Sequence, residues 1–246
     1  MKGIVFIYRL LLKIRYKIEI SGKEVINKNY TKLFLPNHQA IVDPQIIYTQ
    51  LYKITPVIPV VTESYFKIPL VKNILKMIKA VPVSDLSAGS RDTNVLHTIT
   101  NSILIALKNN KSILLYPSGH ITDDGYEKIK NKKSAYSVVS EIPDNVQIIA
   151  VKVTGLWGSM WSKAKNGKSP DFFKTFLKGI FIAFANFVFF VPKRKINIEF
   201  IDITENAKQI TEFGKEEFNN YLENVFNKNV IEIPKKIKYF FFLKNR

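Results

Sequence analysis

The chain contains no cysteine. That excludes disulfides, cysteine-ligated zinc, iron–sulfur clusters and a thiol nucleophile, and it leaves the redox compartment open. Only three histidines and two tryptophans occur in 246 residues. Acidic side chains are also few, 20 against 37 Lys plus Arg, for a formal net charge of +17. Such an excess favours an anionic partner: nucleic acid, an anionic bilayer surface or a phosphate-bearing substrate. A Lys- and Asn-rich composition is the competing explanation. No internal repeat, heptad array or Gly-rich dinucleotide loop is evident, and no uncharged apolar run is long enough to span a bilayer comfortably.

What is present begins with core material. Hydrophobic residues make up 46%, and the length suits a single α/β domain over residues 1–246. Leu33 to Leu35, Pro56 to Val61, Ala80 to Val83, Ser112 to Tyr116 and Val146 to Val153 read as buried strands. Helical segments are predicted over 45–52, 66–77 (containing Pro69), 91–107 and 135–141. This alternation predicts a mostly parallel central sheet flanked by helices. Residues 16–26 read as a hairpin-like lead-in, 84–90 as a polar loop, 195–203 as an edge strand and 211–227 as an amphipathic helix.

Three segments combine apolar and basic residues. Residues 1–17 interleave Ile4, Phe6, Leu10 and Leu11 with Lys2, Arg9 and Lys13, which suits an amphipathic helix lying in a membrane interface. Residues 172–191 carry eight of the phenylalanines and read as a segment entering one leaflet or as a buried helix. Pro192-Lys193-Arg194-Lys195 then places cations where headgroup phosphates would lie. Residues 235–246 form a basic-aromatic tail. Trp157 and Trp161 fit acyl-chain or bilayer contact, or core packing.

The chemistry concentrates in Pro36-Asn37-His38-Gln39-Ala40-Ile41-Val42-Asp43, where a strand hands over to a helix. Histidine takes a proton near neutral pH. A carboxylate on its other ring nitrogen fixes the tautomer and stabilises the imidazolium. His38 and Asp43 thus form a candidate general base and its orienter, although the spacing alone is weak and more often marks a structural or surface histidine. A second block, Pro117-Ser118-Gly119-His120-Ile121-Thr122, is a strand-to-loop turn. Gly119 lets backbone N–H groups approach a phosphate or oxyanion, and His120 and Thr122 offer donors. Ser118 is a poor serine-hydrolase nucleophile, because Gly-x-Ser-x-Gly is absent and His120 is too near in sequence. In a mostly parallel sheet ligands bind beyond the carboxyl ends of the strands. That rule gathers Asn37, His38, Glu63, Asp85 and the Ser118 turn at one rim.

Taken in order, Asn37-His38-(four residues)-Asp43, Glu63-Ser64-Tyr65-Phe66-Lys67-Ile68-Pro69, Leu115 to Thr122 and the strand Ile148 to Val153 resemble the glycerolipid acyltransferases of the 1-acylglycerol-3-phosphate type. The resemblance covers roughly residues 30–165. It implies transfer of an acyl group from a thioester, on coenzyme A or acyl carrier protein, to a lysolipid hydroxyl. His38 would be the base and Asp43 its orienter, with Asn37, Glu63, Ser118, Gly119, His120 and Thr122 around the substrate. It implies no metal and no bound cofactor. The family's usual second block is Phe-Pro-Glu-Gly-Thr-Arg. Here Tyr116 and Pro117 fit, Ser118 stands at the Glu and Ile121 at the Arg. His120-Ile121-Thr122 is closer to the 2-acylglycerophosphoethanolamine acyltransferase branch, which implies a lysophospholipid with a substituted phosphate. A peripheral place on the cytoplasmic face of the inner or plasma membrane is expected. The rival reading is a non-enzymatic basic protein binding anionic membranes or nucleic acid. Of these nucleic acid is not expected, because the aromatics cluster in apolar runs rather than among Lys and Arg.

Overall fold

The computed structural model describes residues 2–83, 93–230 and 233–242. The predicted loop 84–90, with Asp85, and the last four residues of the tail lie outside them. In chain order the elements are α1 (Lys2–Arg15), β1 (Tyr16–Ser21), β2 (Thr31–Pro36), α2 (Asp43–Leu51), β3 (Val57–Thr62), α3 (Pro69–Met77), β4 (Val81–Val83) and α4 (Thr93–Lys108). Then follow β5 (Ser112–Leu114), α5 (Ser134–Val139), β6 (Val146–Thr154), α6 (Phe172–Ala185), β7 (Arg194–Asp202), α7 (Thr204–Thr211) and α8 (Lys215–Asn227).

The seven strands form one sheet in the order β1-β7-β6-β2-β5-β3-β4. Every pairing is parallel except β6 with β7. The expected mostly parallel α/β architecture is the observed one. Strand β2 shows why the sheet is covered on both faces. All six of its residues are buried, and successive side chains point to opposite sides. Phe34 joins a core with Ile46, Ile47 and Leu51 of α2 and with Val5 and Leu12 of α1. Leu33 and Leu35 join the opposite core with Ile103 and Leu107 of α4, Val138 of α5 and Phe218, Leu222 and Phe226 of α8.

Several expectations need correction. Residues 16–26 do not double back as a hairpin: β1 pairs in parallel with β7, Tyr16 opposite Arg194. Gly22, in left-handed backbone, lies so close to β7 that a Cβ there would sit 2.1 Å from the Phe200 carbonyl oxygen. The chain therefore passes tight against β7 through a 3-10 turn, Lys23–Val25, before entering β2. Strand β7 is interior, between β1 and β6. Its alternation of buried Ile196, Ile198 and Phe200 with exposed Lys195, Asn197 and Glu199 reports one solvated face, not a free edge. The helix expected over 211–227 is α8, which begins at Lys215 after a turn at Thr211–Gly214; α7, before that turn, was not expected.

Candidate active site

The site is built on the end of β2. Pro36 closes the strand and has no N–H to give β6. The next residue extends the pairing with its side chain: Asn37 Nδ2 donates to Val153 O (2.9 Å), and Val153 N donates to Asn37 Oδ1 (2.7 Å). Beyond it the turn is fixed from two sides. Ile41 N donates to Trp161 O, Leu156 N to Gln39 Oε1, and Thr122 N to His38 O at 2.8 Å.

Asp43 is fully buried and is the first residue of α2, with Pro44 second. The helix start favours its negative charge, and its oxygens are well supplied with donors. Oδ2 accepts the N–H groups of Gln39 (2.7 Å) and Ala40 (3.0 Å), and Oδ1 accepts the Tyr116 hydroxyl (3.0 Å). His38 Nδ1 lies 3.1 Å from Oδ2 and 3.0 Å from Oδ1. With an acceptor there, Nδ1 carries the proton and Nε2 offers a lone pair. The His38 side chain is 16% exposed, so a ligand can reach it. The Tyr116 ring packs 4.5 Å from the imidazole, centroid to centroid. Burial first, and then the Asp43 charge, push the Tyr116 hydroxyl well above its ordinary range, so it stays a donor.

The second block arrives beside the first through β5, which is parallel to β2. Gly119 takes left-handed backbone and no heavy atom lies within 4 Å of where a Cβ would be. Its N–H is engaged by Tyr116 O. Ser118 is buried; its hydroxyl donates to His120 O (3.0 Å), and His120 Nδ1 donates to Ser118 O (2.7 Å). Burial holds His120 below the ordinary imidazole range. The cations nearest it are Lys130 and Lys163, both paired with Asp123, Lys163 at 2.6 Å.

The structure therefore brings His38, Asp43, Ser118, Gly119, His120 and Thr122 together. Asn37 is adjacent in sequence, but its side chain is committed to β6. Thr122 Oγ1 is likewise committed within its turn, donating to Tyr126 O at 2.5 Å. Glu63 is exposed at the start of a 3-10 turn after β3, two strands from β2, and among the described residues it makes no hydrogen bond to this cluster.

Sequence reasoning missed two residues. Tyr116 served only as a motif position, yet it donates to Asp43. Glu127, just before the lysine-rich stretch 128–133, was given no role, yet it is buried and its Oε2 accepts His38 N–H at 2.8 Å. Among the described residues no group of three His, Asp or Glu side chains could hold a metal ion. A groove of about 410 Å³ lined by Asn27, Tyr30, Asp144, Gln147 and Asp202 lies at the other ends of β2 and β6.

The apolar segments adopt a shared exposed surface. On α1, Val5 and Leu12 are buried while Ile4, Phe6, Ile7, Leu10 and Leu11 are exposed. Helix α6 is not a buried helix: Ile182 is its only buried residue, and Phe184 is 72% exposed. Phe187, Phe189 and Phe190 follow it, also exposed. The tail is held to α6 by Asn186, which donates to Tyr239 O (2.9 Å) and accepts Phe241 N–H (2.8 Å). It is held to α1 by Arg15, which donates to Lys238 O and to Pro192 O. Trp157 and Trp161 are buried, Trp161 against Phe172, so packing rather than bilayer contact accounts for them. Among the described residues no helix is long and apolar enough to cross a membrane.

Comparison with known proteins places these observations. No curated protein matches the chain. Among solved structures, the chain is similar to the crystal structure of the 1-acyl-sn-glycerophosphate (LPA) acyltransferase, PlsC, from Thermotoga maritima. That match has a TM-score of 0.57 at 18% identity and covers 92% of this chain and 78% of that one, a likeness of fold. The family description Acyltransferase matches residues 17–154, more than half of the chain, and spans β1 through β6 with His38, Asp43 and the Ser118 turn. The chain belongs to the acyltransferase family.

Proposed function

We propose that this chain transfers a fatty acyl group from a thioester, on coenzyme A or acyl carrier protein, to the hydroxyl of a lysophospholipid. The observation that carries this reading is the His38–Asp43 pair, with a fully buried carboxylate saturated by donors and an imidazole whose Nε2 is left for a ligand. The acceptor hydroxyl gives its proton to His38 Nε2 as its oxygen attacks the thioester carbonyl. Asp43 holds the imidazolium that forms. Collapse of the tetrahedral intermediate forms the ester, breaks the C–S bond, and returns the proton from His38 to the departing thiolate. No metal and no covalent enzyme intermediate take part in this scheme.

The transient oxyanion needs donors. The Gly119 amide is engaged, so the turn's remaining amides, Ser118 N–H and His120 N–H, take that part; among the described residues neither makes a hydrogen bond. With Ile121 buried where the family pattern has an arginine, the lysines around Asp123 supply the nearest positive charge to a headgroup phosphate. That arrangement favours a phosphodiester acceptor of the glycerophosphoethanolamine type over a phosphate monoester, which asks for a forked donor.

The proposal includes a peripheral position on the cytoplasmic face of an anionic bilayer, with α1, α6 and the tail dipping into one leaflet. Exposed apolar surface flanked by cations supports it. Its test is an assay of purified protein with labelled acyl thioester and a panel of lysolipids. His38→Ala should lower kcat/KM by about 10²–10⁴-fold and Asp43→Asn by a similar factor, with KM little changed. Full activity in His38→Ala would overturn the reading. The non-enzymatic alternative expects vesicle binding and no turnover at all.

A further inference from the structure

One buried ionisable group next to the site has no part in the scheme above. Glu127 is 2% exposed. Its backbone is clamped from both sides by Asn227 at the end of α8: Glu127 N donates to Asn227 Oδ1 (2.9 Å), and Asn227 Nδ2 donates to Glu127 O (2.9 Å). The carboxyl is thereby aimed at the β2–α2 turn. Oε2 accepts the His38 N–H, while Oε1 is buried without a hydrogen-bond partner. A buried acceptor left unmatched is unusual in a folded chain and marks a strained or functional group.

We propose that Glu127 is a positioning residue of the acyl-transfer site: its carboxylate anchors the His38 main chain, and its charge sets how readily the His38 ring takes a proton. The inference rests on His38 as the base. Burial pushes the Glu127 carboxyl up to about 7, while the nearby Ser118 hydroxyl, the His38 N–H it accepts and the His38 ring pull the other way. It therefore titrates in the pH range where the base must work. The titratable groups facing it are His38 and Asp43 of the turn and Tyr116 after β5. Helix α8 presents the uncharged Asn227, and its Glu223 is engaged by the N–H groups of Ile129 and Lys130. Ionised, Glu127 stabilises an imidazolium at His38 and holds the N–H firmly. Protonated, it does neither well. Ser118 fits this switch, since its single hydroxyl proton can serve His120 O or the Glu127 carboxylate, not both. The residue that stands where the family pattern has a glutamate is thus in reach of another one, nine positions on.

Two measurements test this. The first is ¹³C and ¹⁵N NMR titration without substrate. In the wild type the Glu127 carboxyl should change protonation near 7. In Glu127→Gln that transition should be lost, and with it the inflection it imposes on the His38 ring ¹⁵N shifts. The second is the acid limb of log kcat/KM. It should have a slope approaching two in the wild type, where both groups must be deprotonated, and a slope of one in Glu127→Gln. Because glutamine still accepts the His38 N–H, Glu127→Ala should fall at least tenfold below Glu127→Gln. A Glu127 carboxyl that does not titrate between pH 5 and 9, or acid limbs that superimpose, would overturn the proposal. If no thioester and lysolipid pair turns over, the acyl-transfer reading fails, while the NMR titrations still decide whether Glu127 controls His38.

Discussion

Tyr116 is one of the groups on which the orientation of His38 depends. It bonds Asp43 Oδ1 and packs on the imidazole ring, so it steadies both members of the pair. Tyr116→Phe keeps the packing and removes one charge-assisted hydrogen bond, worth about 1–2 kcal/mol. A tenfold loss in kcat/KM is expected, with the fold retained by circular dichroism. Glu127 carries a stability consequence of opposite sense to its proposed role. Its folded pKa, about 7, exceeds the ordinary 4.5, so the folded state binds that proton more tightly than the unfolded chain. The stability this gives is complete below about 4.5 and is lost as pH rises through about 7. Between pH 5 and 8 the wild type should therefore lose ground to Glu127→Gln, by up to about 3 kcal/mol for a shift of this size, in urea melts at the two pH values. The same two residues show what a sequence can reveal. His38 and Asp43 were legible because their partnership closes within one turn of chain. Glu127 meets partners 89 and 100 residues away, and locally it is one carboxylate among lysines.

At the scale of elements, the strands and helices were legible wherever burial was one-sided or complete. Neighbour relations were not. Alternation along β7 reports which side chains face the core, and it carries no information on whether another strand lies alongside. Helix α7 was missed because it is short and mostly polar, and α8 was started too early because Thr211 to Gly214 continues that polar composition. Helix α6 was ambiguous for another reason: a segment apolar on all sides reads the same in a core and in a leaflet. The structure removes the core alternative, since Phe181 is 64% and Phe184 is 72% exposed. Burying each such side chain is worth roughly 1.5–3 kcal/mol. Phe181→Ser with Phe184→Ser should therefore lower partitioning onto anionic vesicles by at least tenfold in flotation assays. Turnover of a short-chain substrate free in solution should be unchanged.

For the whole molecule, charge and fold act separately. A net charge of +17 says nothing about the sheet, but it sets the range over which an anionic surface attracts the chain. Raising NaCl from 50 to 500 mM shortens the screening length from roughly 14 Å to roughly 4 Å. Binding to anionic vesicles should weaken markedly over that range, and the apolar contribution of α1 and α6 should persist as a salt-insensitive residue of binding. The parallel pairing of β1 with β7 has a consequence in time. Tyr16 and Arg194 are partners, but at 5–20 residues per second the ribosome makes them roughly 10–40 s apart. Through that interval β1 has no strand to pair with, and the apolar α1 beside it waits on a sheet still lacking its final members. Long-range parallel closure of this kind is slow. In this chain strand β1 is thus made well before the partner that secures it. During synthesis its exposed N-terminal helix is open to capture by a chaperone or by the very bilayer it is proposed to serve.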